Sequence, residues 1–310
     1  MKVLITSSRM PFALGMVRKL AAEGREIYAA DDHLLSPGNH SKYLAGHFVY
    51  PSPRSDTAGF LAELERIARE HEIDVVVPAF EEAFYISTTP AAPWLVQPFV
   101  DGETVCSYST VHGGRVSSHL MYRIPRQRNH STGIQFEAID ATESLRLIEP
   151  IVAELRYTGQ ISFDFLVTDD GLTFVECNPR ATDGLLLMPG EELAAGLLAP
   201  RPETFVLEPG GEVQLALAVL ADGFADQLDR LPQSIDDLAQ VRDAGSGWHD
   251  PLPTLYSALA ICHSVGQSLR EHMGHLVAIA GDMNWDGEHI DGMSNDDAML
   301  LTGLGAPAAD

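Results

Sequence analysis

The sequence is poor in positive charge, and this shortage excludes whole classes of partner. Acidic residues number 44 against 20 lysines and arginines, so the formal net charge is −24 at pH 7. Nucleic acids and anionic membranes are bound through basic patches, which a chain of this balance does not offer. We therefore expect neither as a partner. Lysine is especially scarce, because it occurs at Lys2, Lys19 and Lys42 and nowhere afterwards.

Cysteines are few, and long apolar runs are missing. The three cysteines, Cys106, Cys177 and Cys262, are far apart and show neither disulfide nor metal-site spacing. No apolar stretch approaches the length of a membrane span. The first residues, MKVLIT, are typical of a strand rather than of a signal peptide. Together these absences predict a cytoplasmic protein.

The N-terminal part of the sequence contains a β-helix-β pattern. This order predicts a Rossmann-like parallel sheet. A dinucleotide site, with Asp31 or Asp32 on the ribose, is disfavoured because the turn over 7–10 lacks the glycine fingerprint G-x-G-x-x-G. The predicted strands cover 2–6, 25–30, 48–50 and 73–77, and the predicted helices cover 11–23 and 57–72.

Two acids follow the strand predicted over 73–77. Glu81 and Glu82 come just after Pro78, beyond the carboxyl end of a parallel strand. Parallel sheets usually bind ligands at that end, so both acids would face a substrate cleft. The alternative is that they begin the next helix and complement its dipole. Both interpretations stay open from the sequence.

The stretch from Gly159 to Gly184 predicts a β-hairpin. An apolar strand over 161–167 is followed by a turn at 168–171 that contains Asp-Asp-Gly. A returning strand is predicted over 172–175. Such a hairpin brings residues that follow the second strand back beside the middle of the first.

Three oxygen-bearing side chains are placed together by this hairpin. Glu176 and Asn178 are two residues apart and so point to one face, which the turn brings beside Asp164. Two carboxylates and an amide oxygen are ligands that Mg²⁺, or alternatively Mn²⁺, accepts when it is shared with nucleotide phosphates. Arg180 can supply a fixed positive fork for a phosphoryl group. The alternative is a surface hairpin with scattered acids.

The run DFLVTDDGLTFVECNPR, from Asp164 to Arg180, resembles the C-terminal metal hairpin of the ATP-grasp superfamily. That superfamily comprises carboxylate–amine and carboxylate–thiol ligases with their carbamoyl-phosphate synthetase and biotin carboxylase relatives. The resemblance implies an α/β chain that is α+β in its C-terminal half. A Rossmann-like parallel-sheet domain would be followed by an antiparallel-sheet ATP-grasp domain.

A second segment, residues 94–103, resembles the hinge strand of these enzymes. The resemblance implies that the backbone of Gln97, Phe99 and Val100 meets adenine and that Glu103 binds the ribose hydroxyls. In the family, a small α/β lid with two nucleotide-contacting lysines and a glycine-rich flap precedes this strand. This sequence has neither between Ile86 and Trp94.

Three explanations for the missing lid stay open. The sequence omits a lid that the whole protein has, the lid was deleted, or the chain is a degenerate member that has lost catalysis. A step between consecutive Cα atoms much longer than about 3.8 Å within 86–94 would indicate omitted chain. As it stands, the sequence predicts weak Mg-ATP binding and little turnover.

A cationic patch follows the predicted hairpin of strands over 104–112 and 115–122. Four bases lie within eight residues, and we expect them in a loop that binds an anionic substrate or the γ-phosphate. The alternative is an exposed basic loop on an acidic protein. The four are Arg123, Arg126, Arg128 and His130.

The region over 212–278 is predicted to be mainly helical. Ser234 would cap a helix over 234–241, and a longer helix would cover 251–273. A last strand is predicted over 276–280, followed by an acidic solvated tail. A metal site at His263, His272 and His275 is disfavoured. The predicted domains are 1–90, 91–200 and 201–310.

Taken together, the resemblance implies an ATP- and Mg²⁺-dependent ligase. A small-molecule carboxylate would be activated as an acyl phosphate, with Arg180 assisting the phosphoryl group, and an amine or a thiol would displace phosphate. Thr182 and Asp183 would face the acceptor side, which favours an amine. The alternatives are a catalytically silent binding or scaffold protein and a Rossmann oxidoreductase. A homodimer is expected by resemblance.

Overall fold

The fold is seen in a computed structural model of the chain. It describes residues 1–87, 100–128, 132–169, 171–219, 231–245 and 249–271. Two sheets organise these residues, one of four parallel strands and one of seven mainly antiparallel strands. The predicted α/β class, with a Rossmann-like sheet before an antiparallel one, is confirmed.

The parallel sheet contains the first four strands of the chain in the order β3-β2-β1-β4. The third strand begins earlier than predicted, and its alternating exposure suits an edge strand. The elements are β1 (Lys2–Ile5), α1 (Pro11–Ala22), β2 (Glu26–Asp31), a 3₁₀ helix (Pro37–His40), β3 (Leu44–Val49), α2 (Thr57–Glu70), β4 (Val75–Val77) and α3 (Glu82–Ser87).

Local signals fix the ends of the first two helices. Pro11 stands at the first turn of α1, where a missing N–H costs nothing, and Gly24 follows the helix with φ 73°. Helix α2 is capped by Asp56, whose carboxylate accepts a hydrogen bond from the N–H of Gly59 at 2.9 Å. The predicted boundaries of α1 are therefore within two residues of the observed ones.

The second sheet has the order β11-β7-β6-β5-β8-β9, with β10 pairing parallel to β6. A predicted hairpin joins β5 to β6, and its turn glycines, Gly113 and Gly114, have φ of 54° and 82°. The strands are β5 (Glu103–His112), β6 (Arg115–Arg128), β7 (Thr132–Ile139), β8 (Gly159–Thr168), β9 (Gly171–Asn178), β10 (Phe205–Val206) and β11 (Glu212–Gln214).

The antiparallel sheet is covered on both faces. Helix α4 (Thr142–Glu154) buries Ile148 and Val152 in one core cluster with Phe163. The opposite face packs against α5 (Gly190–Leu198) and against α1 of the parallel unit. Phe12 of α1 belongs to the same core cluster as Tyr108 of β5. The two sheets therefore share one hydrophobic interior.

The C-terminal part departs from the predictions in two places. Residues 212–214 form β11 rather than helix, because Val213 pairs with Phe136 and completes the sheet. Ser234 is not a cap, since it lies inside α6 (Leu231–Gln240). Helix α7 (Pro251–Glu271) contacts the 3₁₀ helix at 37–40.

Several predictions concern residues outside the described part. Outside the described residues lie the predicted strand over 276–280, the acidic tail, His272, His275 and most of the segment 86–94. In the described residues no helix has both the length and the apolar character needed to cross a bilayer. The domain boundaries at 90 and 200 stay predictions.

Candidate active site

The hairpin of β8 and β9 places two carboxylates opposite each other. Asp164 pairs directly with Glu176, and Ser162 pairs with Asn178. Since paired residues and residues two apart share a face, Asp164, Glu176 and Asn178 lie on one side of the hairpin. The turn glycine Gly171 has φ 108°, and β9 continues to Asn178 rather than ending at 175.

The electrostatics of this pair favour a bound cation. Burial raises the pKa of Asp164, while a hydrogen bond from Cys106 and the charge of Arg180 lower it. Burial also raises the pKa of Glu176, and the neighbouring charge of Asp164 raises it further. Two facing carboxylates, each with a pKa raised by burial, are stabilised in their ionised form by a divalent ion between them.

The third oxygen ligand would be the amide of Asn178. Among the described residues, no cluster of three His, Cys, Asp or Glu side chains is arranged for a metal. A site on this hairpin therefore needs the amide oxygen and oxygens from a bound phosphate in addition to its two carboxylates. Mg²⁺ accepts such a mixed set. The residues present fit the ion.

Arg180 connects the hairpin to the parallel sheet. Its Nη2 donates to Oε1 of Glu81 at 3.4 Å, and its Nη1 donates to the carbonyl oxygen of Ala181 at 3.3 Å. The guanidinium carbon lies 4.7 Å from the centre of the Phe80 ring. Its Nε is buried and has no acceptor in the described chain. Arg180 thus has one N–H that no acceptor in the described part of the chain uses.

Glu82 is fully buried, so the prediction that it binds substrate is wrong. Its carboxylate is fully buried and accepts hydrogen bonds from Oγ1 of Thr6 at 2.5 Å and from the backbone N–H groups of Ala79 and Phe80 at 2.9 and 3.0 Å. Glu82 therefore ties the end of β4 to β1. Glu81, its neighbour, points instead towards Arg180 of the hairpin.

Thr182 and Asp183 follow Arg180 on the same side. Oγ1 of Thr182 lies 2.9 Å from Oγ of Ser162 and accepts a hydrogen bond from Tyr122 at 3.3 Å. Asp183 begins a 3₁₀ helix (Asp183–Leu186), and its Oδ1 is buried without a partner in the described chain. Burial raises the pKa of Asp183 to about 7, although the charge of Arg180 opposes the rise.

Two residues near the site were not predicted from the sequence. Cys106 of β5 pairs with Asp164, and its thiol hydrogen-bonds to that carboxylate. Lys19 of α1 donates to carbonyl oxygens that follow Asp183 in the chain, at 2.7 Å for Leu185. The scarcity of lysine was the one signal that could have drawn attention to Lys19.

The predicted cationic patch is not a single patch and not a loop. Arg123 and Arg126 lie in β6, whose pairing with β7 sends them to different partners. Arg123 binds Glu137 through bonds of 2.8 and 2.9 Å. Arg126 binds Asp237 of α6 at 2.8 Å and is largely buried. Because Arg126 is buried against a carboxylate of the protein, its assignment to substrate is wrong, whereas the substrate role of the exposed Arg123 stays a prediction.

The remaining predicted residues are described only in part. Glu103 begins β5 and is exposed, and Val100 precedes it. The backbone of β6 ends at Arg128. Gln97, Phe99, His130 and the side chain of Arg128 lie outside the described residues, as does the Cα spacing over 88–94. Their proposed roles stay predictions.

Comparison with known proteins found similar structures. No protein-family model and no curated protein matches the chain. N5-carboxyaminoimidazole synthetase from Staphylococcus aureus has 12% identity over 73% of this chain and 86% of that chain, with a TM-score of 0.49. Glycinamide-RNase-transformylase T from Mycobacterium tuberculosis has 13% identity over 68% and 83%, also with a TM-score of 0.49.

A third similar structure is biotin carboxylase from Campylobacter jejuni, in complex with β-γ-ATP. It has 12% identity over 68% of this chain and 74% of that chain, with a TM-score of 0.44.

Proposed function

We propose that this chain is an ATP- and Mg²⁺-dependent ligase. It activates a carboxylate as an acyl phosphate for attack by an amine, with a thiol as the less favoured nucleophile. The observation that carries the proposal is the direct pairing of Asp164 with Glu176 beside the guanidinium of Arg180. Asp164, Glu176 and Asn178 would hold Mg²⁺, with Mn²⁺ as the alternative ion.

The proposed chemistry needs positioning and charge rather than a covalent nucleophile. An oxygen of the substrate carboxylate attacks the γ-phosphorus of ATP, the bond to ADP breaks, and an acyl phosphate forms. When bound, Mg²⁺ neutralises charge on the phosphate oxygens. Arg180 offers its unpartnered Nε–H to the transferring phosphoryl group. Glu81 holds the guanidinium through Nη2 and so orients it.

The other predicted contacts complete the proposal. The backbone of Gln97, Phe99 and Val100 would meet adenine, and Glu103 the ribose. Thr182 and Asp183 would form the acceptor side, next to the arginine that holds the phosphoryl group.

A catalytically silent binding protein is the second candidate. The observation that favours it is the absence of any lysine after Lys42, because the lid of ATP-grasp enzymes contributes two lysines by resemblance. Without them we expect the 310-residue chain to bind Mg-ATP weakly and to turn it over slowly. A protein that binds but never forms acyl phosphate would serve as a sensor or scaffold.

Calorimetric titration with Mg-ATP tests the site. Asp164→Asn and Glu176→Gln should each weaken binding at least about tenfold, equivalent to about 1.4 kcal/mol. Asp169→Asn is the matched control, since Asp169 is exposed in the same hairpin. Binding that both site variants leave unchanged would overturn the proposal.

Trapping with hydroxylamine separates the two candidates. The protein is incubated with Mg-ATP, hydroxylamine and an equimolar mixture of the twenty protein amino acids as carboxylate donors. Hydroxamate that depends on ATP and is lost in Asp164→Asn supports the ligase. Mg-ATP binding without hydroxamate would support the silent binder. The same result is required of the protein expressed from the full coding sequence, including any residues that it has around position 90.

We also propose small-molecule carboxylate and amine substrates, a cytoplasmic location and a homodimer. The three cysteines are free in the structure, and Cys106 is buried, which suits a reducing compartment. Light scattering coupled to gel filtration tests the dimer, and a monomeric mass would exclude it.

A further inference from the structure

Asp183 carries a buried carboxylate oxygen that lacks a donor in the described part of the chain. Its Oδ1 is shielded from solvent and forms no hydrogen bond there. Burying a carboxylate oxygen without a donor is costly, and buried polar groups are nearly always hydrogen-bonded. A ligand that donates a hydrogen bond at this point would remove that cost.

Several donors around Asp183 are engaged with other acceptors, and the exception is the Nε of Arg180. The hydroxyl of Tyr122 donates to Thr182 at 3.3 Å. The thiol of Cys106 is engaged with a carboxylate of the metal hairpin. The terminal nitrogens of Arg180 donate to a backbone carbonyl and to a glutamate.

The backbone that carries Asp183 is held in place from two sides. A Cβ added to Gly184 would lie 2.3 Å from the ring of Tyr122, so the chain presses directly against that ring. Lys19 donates to three carbonyl oxygens in the segment that follows. The unpartnered oxygen is thus a fixed feature of the fold rather than the result of a loose turn.

An unpartnered donor accompanies this unpartnered acceptor. The Nε of Arg180 is also buried without an acceptor in the described chain, and its charge acts on Asp183. Since the two groups differ in sign, they suit a ligand pair with an anionic part at Arg180 and an N–H donor at Asp183. An acyl phosphate and an amine are such a pair.

We infer that Asp183 binds the incoming amine as its ammonium form and removes its first proton. The inference rests on the proposed ligase function. The N–H bond breaks as an O–H bond forms on Asp183, and the freed nitrogen lone pair attacks the acyl carbon. The C–O bond then breaks, and its electron pair leaves with phosphate, which takes the second proton from nitrogen. Asp183 returns its proton to water.

The acidity of Asp183 suits this role. Burial raises its pKa to about 7, so near neutral pH the carboxylate is present and is still basic enough to accept a proton. Arg180 lowers this pKa, and Asp183 in turn raises the pKa of Tyr122 and of Cys106. Asp164 lies on the far side of that thiol.

A titration without ATP or metal tests the inference. The carboxyl carbon of Asp183 is followed by ¹³C NMR in the full chain, and its signal is assigned by its loss in Asp183→Asn. The probes are methylammonium chloride and tetramethylammonium chloride, which carry the same charge. Methylammonium should lower the titration midpoint of Asp183 by about 1 unit, since it places a cation with N–H donors beside the carboxylate.

Tetramethylammonium has no N–H and should leave the midpoint unchanged. The exposed Asp169 should respond to neither salt beyond ionic strength. Equal shifts from both salts, or no shift from either, would overturn the inference. If Asp183→Asn does not fold, Asp183→Glu serves for the assignment, because it moves the signal and keeps the charge.

Failure of the inference is distinguishable from failure of the ligase proposal. Hydroxylamine is uncharged at neutral pH and needs no base, so Asp183→Asn should lower ATP-dependent hydroxamate formation far less than it lowers amide formation. With methylamine as acceptor, amide formation should fall by about 10² or more. An equal loss of amide and hydroxamate would mean that Asp183 has only a structural role, and would overturn the inference. Absence of hydroxamate with the unchanged protein would contradict the ligase proposal instead.

Discussion

Replacing Lys19 with methionine would release the segment that carries Thr182 and Asp183. Lys19 reaches from α1 and donates through Nζ to the carbonyl oxygens of Leu185 at 2.7 Å and Leu186 at 3.0 Å, and to that of Met188. Methionine keeps much of the apolar stem and removes all three donors. The substitution therefore isolates the contribution of the amine.

The magnitude follows from the bonds that are lost. A net contribution of about 1 kcal/mol for each of the three hydrogen bonds gives a loss of about 3 kcal/mol in the free energy of unfolding. For a chain of 310 residues, with an entropy of unfolding of about 2.1 cal/mol/K per residue, such a loss lowers the melting temperature by about 5 °C.

The cost should depend on pH. Burial, with the charge of Arg242, lowers the pKa of Lys19 to about 7 in the folded protein, against an ordinary value of 10.5. Between these values the unfolded chain binds more protons, so this lysine makes unfolding increasingly unfavourable as pH rises. From pH 7 to pH 9 the gain is about 2 kcal/mol. The cost of Lys19→Met should therefore be about 2 kcal/mol larger at pH 9 than at pH 7.

Urea unfolding followed by circular dichroism gives the free energy of unfolding of the unchanged protein and of Lys19→Met at pH 7 and at pH 9. Lys42→Met is the matched control, because the side chain of Lys42 is exposed. We expect it to change the free energy of unfolding by less than about 0.5 kcal/mol at either pH. A cost of Lys19→Met that stays constant or falls between pH 7 and pH 9 would refute the reasoning.

Two further substitutions test contacts around the site. Arg126→Met should destabilise the protein by about 3 kcal/mol in urea unfolding, because it removes the cation that pairs with the largely buried carboxylate of Asp237. Arg123→Met, at an exposed pair, should cost under about 1 kcal/mol, and equal costs would contradict the burial argument. Gly184→Ala should cost about 1–3 kcal/mol, since its Cβ would collide with Tyr122; an unchanged melting temperature would contradict the close approach.

The features predicted correctly depend on short stretches of sequence. The hairpin of β8 and β9 is specified by its apolar strands and by a turn glycine with φ 108°. The β-helix-β order of the N-terminal part is specified by Pro11, Gly24 and the buried strands around them. Both the fold class and the proximity of Asp164 to Glu176 follow from such local rules.

The incorrect predictions concern partners that lie far away in the sequence. Arg126 and Asp237 are 111 residues apart, and nothing near Arg126 indicates that α6 neutralises it. Glu82 is 76 residues from Thr6, whose hydroxyl turns its carboxylate inward. Ser234 has the chemistry of a helix cap, but it lies inside α6, which begins at Leu231, and its hydroxyl accepts a hydrogen bond from the distant Arg126. Spacing along the chain cannot specify these contacts, since they depend on how the sheets pack.

The position of α1 between the sheets has a consequence for dissecting the protein. Its residues Phe12 and Met16 belong to a core cluster that includes Tyr108 and Leu120 of the antiparallel sheet. A fragment cut near residue 90 would present these side chains to water and would be prone to self-association. Ligand-binding studies therefore require the two halves to be expressed together.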